Sequence, residues 1–561
     1  MHFSEMTYTR PDLVKAQTLA ENAISELDQS QNAGEAEKAL LNWDKAQGLL
    51  ESQVAMARLK FAQNTQDTEA KSENDFLNAN LPHFQVSENK FLERLVNSPH
   101  RVELEKQFGS HAFKSWEVAL QSFDERISGL TAEESKLCME YQQLMAQIRI
   151  PFEGKEYTLS NIGPIAQSSD RTIRRNVAFA IDKSMQGHQQ KLDELYHQLV
   201  QIRHQMGLKM GRDNYTSLGY DMMGRTDYNA DDVAVFRQDV IDYLVPVCQE
   251  IRARHAQRLD VQDYMHYDEA LHHKEGEAVP KGDEQWMRQQ AHHMFKDLGE
   301  DFSLFYSMME NQGLMDLDNR ETKAGGGFCT AFYEHDVPFI FANFNGTNGD
   351  VRVFTHECGH AYQRYASRNQ PLRSYLWPTL EACEIHSMSL EFFTYPQMHY
   401  FFKEDTNRFI LSHLEGALLF IPYGCAVDAF QHWVYDNPSA SSEDRAAEWK
   451  RLETIFLPWR RYESGETYYD SGRIWQRQRH IYLRPFYYID YCLAQSCALQ
   501  FWAQAESDRE DALNRYQALC KLGGAHSFTK LLTFAGLQNP FQKGTLKSII
   551  TKVTQTLANL E

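Results

Sequence analysis

The 561-residue chain has no continuous run of eighteen apolar residues, and its first residues, Met1 to Thr7, contain neither a basic start nor an apolar stretch. A bilayer-spanning helix needs about 20 predominantly apolar residues, and a secretory signal needs a basic segment followed by an apolar one. The nine cysteines are scattered, odd in number and without a C-x-x-C pair. These absences predict a cytoplasmic protein with free thiols and no membrane partner.

Positive charge is also scarce, because 57 lysines and arginines face 77 aspartates and glutamates, for a net charge of −20. Proteins that bind nucleic acid use an excess of basic residues to contact phosphates. The charge balance therefore argues against nucleic acid as a partner. The length allows two or three domains with a large buried core.

Glycine and proline are rare between residues 10 and 150, where alanine, leucine, glutamate, lysine and glutamine are frequent. Apolar residues recur at helical spacing there, for example over 35–60, and Asn64 and Asn78 suggest turns between helices. We predict an N-terminal helical scaffold or lid region over 1–150. It carries no pattern that indicates a site.

The most informative pattern is His-Glu-Cys-Gly-His over residues 356–360. Two imidazoles four positions apart lie on one face of a helix, with roughly 5–6 Å between their Cβ atoms, so that His356 and His360 can hold one zinc ion together. Glu357 is then the general base for metal-assisted hydrolysis. Gly359 allows another backbone to approach this helix closely. The alternative is a helix with two surface histidines and a chance glutamate.

A catalytic zinc site usually has three protein ligands. The next helical segment carries Glu381, Glu384 and Glu391 on nearly one face, and each of them could reach the metal. The two that do not bind the metal would hold the histidines in the required tautomer and orientation. His386, on the same segment, is predicted to be packed or solvated. The alternative is three ordinary solvated carboxylates.

The region 151–561 is predicted to be the helical catalytic region, with a small sheet near 325–345. It begins with a short hairpin over 151–158 and returns to helix after residue 400, with a break at Pro422. The apolar, aromatic segment 337–347 predicts a strand that runs into the metal helix and pairs an extended peptide by β-augmentation. The glycines just before it are also consistent with a flexible turn.

A late segment, 480–491, is dense in aromatic residues. Attack on a peptide carbonyl builds negative charge on oxygen, and tyrosine hydroxyls and a histidine N–H are suitable donors to that oxygen. The alternative is simple core packing. The candidate donors are His480, Tyr482, Tyr487, Tyr488 and Tyr491, with Tyr468 and Tyr469 as further candidates for the cleft.

The run His-Glu-Cys-Gly-His-Ala over 356–361, followed by Glu384, Ser387 and Glu391, resembles the thimet oligopeptidase and oligoendopeptidase F family of zinc metallopeptidases. The family pattern is H-E-x-G-H and then E-x-x-S-x-x-x-E. The resemblance is greatest to the bacterial oligoendopeptidase F and Pz-peptidase branch and is recognisable over about residues 150–540. One departure is Gln363, where many members have a histidine.

The resemblance implies a mostly α fold, with two helical lobes around a deep substrate channel and the small sheet beside the zinc helix. It implies that Glu384 is the third ligand of one Zn²⁺ per chain. It also implies that His480 and Tyr491 hold the oxyanion. Tyr488, Tyr487 and Tyr482 remain rivals for the tyrosine.

The predicted function is that of a zinc-dependent endopeptidase that hydrolyses internal bonds of short unfolded peptides by a metal-activated water. One alternative is a metallo-carboxypeptidase with the same zinc helix. Another is a peptide-binding protein without catalysis. Short peptides are the predicted partners, with no nucleic acid and no membrane, and the oligomeric state stays open.

Overall fold

The computed structural model describes residues 1–560, and α-helices account for most of them. The described residues also form two small β-sheets. The predicted mostly α class with a small sheet is confirmed. One hydrophobic core cluster includes residues from Met6 to Leu557, so distant parts of the chain pack together.

The first 150 residues form helices, as their composition predicts. The helix α2 ends at Gln63, and Asn64 caps it, so the first expected turn is confirmed. The second is wrong, because α3 continues through Asn78, whose side chain is exposed and does not compete for backbone hydrogen bonds. The helices are α1 (Leu13–Gln29), α2 (Ala33–Gln63), α3 (Thr68–Val96), α4 (Arg101–Phe108), α5 (Ser110–Ser122) and α6 (Ser128–Gln147).

The rest of the chain adds nineteen α-helices within the described range. Three of them matter most for the site, because α16 packs between α15 and α22. The domain boundary at residue 150 stays a prediction. The helices are α7 (Gly163–Ala166), α8 (Arg171–Gln186), α9 (Gln189–Lys209), α10 (Tyr215–Met222), α11 (Ala230–Asp239), α12 (Val245–Arg258), α13 (Glu284–Leu298), α14 (Glu300–Asn311), α15 (Asn348–Ala366), α16 (Leu380–Phe393), α17 (His399–Phe402), α18 (Thr406–Asp436), α19 (Ser442–Phe456), α20 (Thr467–Asp470), α21 (Arg479–Leu483), α22 (Tyr488–Ala505), α23 (Arg509–Leu522), α24 (Phe528–Ala535) and α25 (Thr545–Leu560).

The expected hairpin near residue 151 is confirmed by two short antiparallel strands, β1 (Ile150–Phe152) and β2 (Lys155–Tyr157). The second sheet contains β3 (Met315–Asp316), β4 (Phe328–Phe332) and β5 (Val337–Phe341) in the order β3-β5-β4. The expected strand after residue 337 is therefore the centre of the sheet. β5 pairs with β4 along its whole length and with β3 at Ile340 and Phe341, so β4, at the edge of the sheet, has more unpaired backbone. The pairing of the 337–347 strand with a peptide stays a prediction.

The side chain of Lys323 ties the glycine segment to this sheet. Its buried ammonium lies within 3.0 Å of four oxygens: the carboxylate of Asp316 and the backbone carbonyls of Asp316, Asp318 and Ala342. These contacts join the ends of β3 and β5 to the start of the loop that leads into β4. The glycines at 325–327 are thereby held against the sheet beside the start of α15.

The long helix α18 passes through Pro422 without a break, so the expected interruption is wrong. Proline lacks the N–H that would bond the carbonyl of Leu418 one turn earlier. The thiol of Cys248, on α12, lies 3.5 Å from that carbonyl oxygen and supplies a substitute donor. A tertiary contact therefore compensates for the lost helical hydrogen bond.

The segment Tyr395–Asp436, which includes α18, is long and apolar enough to span a bilayer by length and composition alone. Its most apolar window has a mean hydropathy of 1.4, and 72% of that window is buried inside the protein. A buried core helix of a soluble protein passes the same test. Its apolar side chains contribute to the main core, where they pack against α12, α19 and α22.

Candidate active site

The helices α15 and α16 cross in close contact at Gly359. A Cβ atom placed on Gly359 would lie 2.6 Å from the Cα of Ser387 and 2.7 Å from the backbone oxygen of His386. No larger residue fits without moving one of the two helices. The close approach expected from the glycine is confirmed, and it brings the face of α15 that carries the two histidines against α16.

We expect Gly359→Ala to push α15 and α16 apart. The substitution should destabilise the protein by about 1–3 kcal/mol, as overpacking in a core typically does, and it should weaken metal retention. Thermal unfolding and zinc content after dialysis measure the two effects. Gly129→Ala, in the exposed start of α6 with open space around it, is the matched control and should neither destabilise the protein nor change its zinc content. Unchanged stability and zinc content in Gly359→Ala would contradict the packing argument.

Three donor atoms converge where the helices cross. The Nε2 atoms of His356 and His360 lie 3.3 Å and 3.5 Å from Oε2 of Glu384. Ligands at 2.0–2.1 Å from a tetrahedral zinc ion are about 3.4 Å apart. Among the described residues, this is the one group of three or more histidine, cysteine or acidic side chains placed to hold a metal ion. The donor set and its spacing fit zinc.

The surroundings of Glu384 favour its ionised form, which can bind a cation. Burial alone would raise its pKa, but the imidazoles of His360 and His356 lower the pKa below its usual range. The Tyr487 hydroxyl donates to Oε1 over 3.0 Å, and the Ser387 hydroxyl donates to Oε2 over 3.1 Å. Tyr487, one of the rival tyrosines, therefore orients Glu384.

Glu391 orients His356 from the other side. His356 donates from Nδ1 to Oε1 of Glu391 over 2.7 Å, which leaves its Nε2 lone pair free for a metal. Oε2 of Glu391 accepts from Nε2 of His413 over 2.6 Å, and Nδ1 of His413 is hydrogen-bonded to the Tyr395 hydroxyl at 2.6 Å. Burial opposes ionisation, but these imidazoles lower the pKa of Glu391 to about 2.

Sequence reasoning missed His413 and Tyr395. His413 lies on α18, 22 residues beyond Glu391, and no local spacing relates the two. Only the packing of α18 against α16 brings its imidazole to the carboxylate. Glu391 itself orients His356, which is one of the two roles that the sequence left open for it.

The third acidic candidate, Glu381, is buried and has no hydrogen-bond partner on either carboxylate oxygen. Burial and the nearby charge of Asp490 raise its pKa to about 8, so that it is largely protonated at neutral pH. It does not belong to the converging donors. His386 is fully buried, with Nδ1 2.6 Å from the Ala382 oxygen, and the prediction that it is packed is confirmed.

Glu357 lies beside the donors, next to Gly327. Its carboxylate is buried, and Oε2 has no hydrogen-bond partner. Burial raises its pKa, while the imidazoles of His356 and His360 act in the opposite direction. A Cβ on Gly327 would lie 3.4 Å from Oε1 of Glu357, so the glycine keeps this side of the carboxylate open.

These groups surround a cavity of about 440 Å³, the metal-site cavity. Side chains from α15, α16, α18 and the 480–495 segment form its walls. It is lined by Gly327, Arg352, Val353, His356, Glu357, Met388, Glu391, His413, Gly416, Ala417, Phe420, His480, Tyr488, Tyr491 and Gln495.

His480 lines the metal-site cavity as a neutral imidazole. Burial and the charges of Arg479 and Arg484 lower its pKa to about 4. Its Nδ1 accepts a hydrogen bond of 2.7 Å from the Gln478 amide, whose own oxygen accepts from the Tyr423 hydroxyl over 3.0 Å. The proton of the imidazole therefore resides on Nε2, where it can be donated.

The structure separates the candidate tyrosines. Tyr488 and Tyr491 line the cavity, with ring centres 5.0 Å and 6.0 Å from that of His480. Tyr482 is buried and donates to the Leu192 oxygen. Burial and the charge of Glu384 raise the pKa of Tyr491, which keeps it a protonated donor.

Tyr468 and Tyr469 are also buried away from the metal-site cavity. The Tyr468 hydroxyl donates to the Arg473 oxygen over 2.9 Å, and the Tyr469 hydroxyl accepts from the Arg477 guanidinium over 2.8 Å. Neither residue belongs to the cavity wall. Their role is core packing, and the choice of tyrosine narrows to Tyr488 and Tyr491.

Gln363 takes no part in the metal-site cavity. Its amide nitrogen donates to the Ser367 hydroxyl and to the Leu376 oxygen, both over 3.1 Å, and so ties the end of α15 to the connection that follows. The departure from the histidine of many relatives therefore leaves the three converging donors unaffected. Cys358 is fully buried, and burial raises the pKa of its thiol well above the usual value.

Two protein-family models match the chain. A model described as peptidase family M3 matches residues 165–551, and one described as the peptidase M3 N-terminal domain matches residues 3–123. The chain belongs to peptidase family M3. The predicted resemblance is confirmed, and the chain is a metallopeptidase. A comparison with curated protein sequences finds no match.

Three solved structures are similar over nearly their whole length. A protein assigned as an oligoendopeptidase F has 41% identity and a TM-score of 0.94, covering 100% of this chain and 99% of its own. Pz peptidase A, solved with an inhibitor, has 39% identity and a TM-score of 0.94, covering 99% of each chain. A protein from Bacillus anthracis, also assigned as an oligoendopeptidase F, has 38% identity and a TM-score of 0.90, covering 100% and 98%.

Proposed function

We propose that this M3 peptidase is a zinc-dependent endopeptidase that hydrolyses internal bonds of short unfolded peptides. The observation that carries the proposal is the convergence of the donor atoms of His356, His360 and Glu384, all within 4.8 Å of one another, beside the buried carboxylate of Glu357. We assign these three side chains as the ligands of one zinc ion per chain.

The chemistry is divided among few groups. A zinc ion, when bound, polarises the peptide carbonyl and lowers the pKa of a water molecule. Glu357 accepts the proton of the attacking water and later gives a proton to the leaving amine. Nε2–H of His480 and the Tyr491 hydroxyl donate hydrogen bonds to the carbonyl oxygen as negative charge builds on it. Glu391 and Tyr487 keep the ligands in position.

The peptide is proposed to lie along the edge strand β4. A second cavity, of about 600 Å³, lies between β4 and α2, and β4 begins directly after Gly327 of the metal-site cavity. Unpaired backbone groups on a strand edge can pair an extended peptide in any sequence context. An unfolded peptide offers a continuous stretch of unpaired backbone, whereas most backbone groups of a folded protein are already paired, and this supports unfolded peptides as the substrate class.

Several observations support the remaining assignments. The net charge of −20 and the burial of the one long apolar segment favour short peptides as partners, rather than nucleic acid or membrane. All nine cysteines are free, which favours a cytoplasmic location. The similarity to structures assigned as oligoendopeptidase F favours cleavage at internal bonds.

Removal of the Tyr491 hydroxyl should slow the reaction selectively. In Tyr491→Phe we expect kcat to fall by about 10²–10³-fold with little change in KM, as is typical when one oxyanion donor is lost. Steady-state kinetics on one fluorogenic peptide provides the measurement. Tyr482→Phe, in the core, is the control and should keep kcat. A larger loss in Tyr488→Phe than in Tyr491→Phe would move the role to Tyr488.

The function itself is tested by digestion of an octapeptide with both ends blocked, with and without a metal chelator. Mass spectrometry should find internal cleavage that the chelator stops and added zinc restores. A carboxypeptidase would require a free C-terminus and would leave the blocked peptide intact. A peptide-binding protein without catalysis would hydrolyse neither the blocked octapeptide nor the same peptide with free ends, even with one zinc ion bound per chain.

A further inference from the structure

A third cavity, of about 420 Å³, lies between the last turn of α12 and the first turn of α18 and shares no lining residue with the metal-site cavity. We call it the arginine cavity. Three guanidinium groups contribute to its wall, and no carboxylate residue does. Its polar lining residues are Arg254, Gln257, Arg258, His273, Asn407 and Arg408.

The guanidinium of Arg258 has unused donors. One of its amino groups, Nη2, donates to Oε2 of Glu415 over 2.6 Å. That same oxygen also accepts from Nε2 of His255 over 2.9 Å, so that the carboxylate serves two donors. Nε and Nη1 of Arg258 are buried and have no hydrogen-bond partner. Buried donors of a cation without acceptors are costly, and an anion nearby reduces that cost.

Arg408 is arranged in a similar way on the facing helix. Its Nη2 donates to Oδ1 of Asp405 over 2.7 Å, and its buried Nε has no hydrogen-bond partner. Asp405 also pairs with Lys281, so its single charge is shared between two cations. Arg408 lies in the first turn of α18, where the helix dipole adds to the positive potential.

His273 contributes a further polar group to the wall of the arginine cavity. Its Nε2 is 3.1 Å from the Ser412 hydroxyl, and burial followed by the charge of Arg258 lowers its pKa. It is therefore an uncharged donor or acceptor at neutral pH. The amides of Gln257 and Asn407 add further polar groups to the wall of the cavity. Guanidinium groups with neutral polar neighbours are typical of sites that bind tetrahedral oxyanions.

We propose that the arginine cavity is a binding site for a phosphate group, held by the guanidiniums of Arg258 and Arg408 from the facing ends of α12 and α18. The phosphate can be free or part of a small phosphorylated molecule, because the charge and the tetrahedral oxygens are common to both. The site is independent of the proposed peptidase chemistry, since the two cavities have separate linings.

The test is calorimetric titration of the zinc-loaded protein with inorganic phosphate and, separately, with adenosine triphosphate, at constant ionic strength. Arg408→Gln should weaken phosphate binding by about tenfold or more, since a hydrogen bond between charged groups contributes at least that much. Arg149→Gln, an exposed arginine whose guanidinium contacts only backbone oxygens, is the matched control and should bind like the unmodified protein. Arg408→Lys keeps the positive charge but lacks the planar guanidinium, and it should bind phosphate with intermediate affinity.

The outcomes separate the sources of binding. Tighter binding of the triphosphate than of phosphate, lost in Arg408→Gln, would identify a phosphorylated molecule as the ligand. Equal binding would identify free phosphate. Binding that persists unchanged in Arg408→Gln lies elsewhere, for example at the zinc ion, and overturns the proposal. The proposal is also overturned if neither phosphate nor adenosine triphosphate binds to the unmodified protein. Thermal unfolding of each variant establishes that it is folded before titration.

Discussion

Glu357→Gln is expected to lose nearly all peptide hydrolysis, by roughly 10²–10⁴-fold in kcat, because a general base of this kind contributes that much. Glutamine has the shape of glutamate but cannot accept the proton of the attacking water. Oε2 of Glu357 has no hydrogen-bond partner, so the amide breaks no contact there. The fold and the metal content should therefore stay unchanged. Initial rates, zinc content and thermal unfolding of the same preparation provide the measurements.

Glu381→Gln is the matched control for this experiment. Glu381 is equally buried but is largely protonated at neutral pH, and neither of its oxygens is hydrogen-bonded. Its replacement by a neutral amide should leave kcat within a small factor of the original value. Substantial turnover by Glu357→Gln with full zinc content would reject Glu357 as the base. Equal losses in the two variants would indicate a general effect of buried amides.

Glu384→Gln is expected to have the second largest effect, the loss of bound zinc. The negative charge that attracts the cation disappears, and a neutral amide is not among the usual zinc ligands. Glutamine retains a side-chain oxygen that can accept from the Tyr487 hydroxyl, which limits damage to the packing. After dialysis, zinc measured by elemental analysis should fall far below one ion per chain, and peptide hydrolysis should fall with it.

Glu391→Gln distinguishes the ligand from the residue that orients it. Glu391 contacts His356 and His413 rather than the converging donor atoms, so its replacement should weaken zinc binding by about 10–100-fold and leave a site that refills at high zinc concentration. Glu384→Gln should not refill under the same conditions. If the order of the two effects were reversed, Glu391 would be the third ligand and the assignment from the structure would be wrong.

Local rules were sufficient where a feature depends on neighbours in sequence. The helix of His356 and His360, the glycine crossing at Gly359 and the hairpin near residue 151 follow from spacing and turn residues. The same rules fail at Asn78 and at Pro422. At Asn78 the helix continues because the side chain is exposed, and at Pro422 it continues because a thiol from another helix replaces the missing donor. Neither feature can be read from a local sequence pattern.

The amino-acid sequence by itself determined the mostly α class, the family and the placement of His356, Glu357 and His360 on one helix, because each depends on residue types at characteristic spacing. The resemblance already pointed to Glu384, and the tertiary structure supplied the physical reason, because Glu384, Glu381 and Glu391 share a helix face but meet different partners. It also showed that Tyr487 donates a hydrogen bond to Glu384 rather than lining the cavity, and that His413 is hydrogen-bonded to Glu391. These roles depend on the side chain that faces each group across a helix interface, and such distances are set by packing rather than by local spacing.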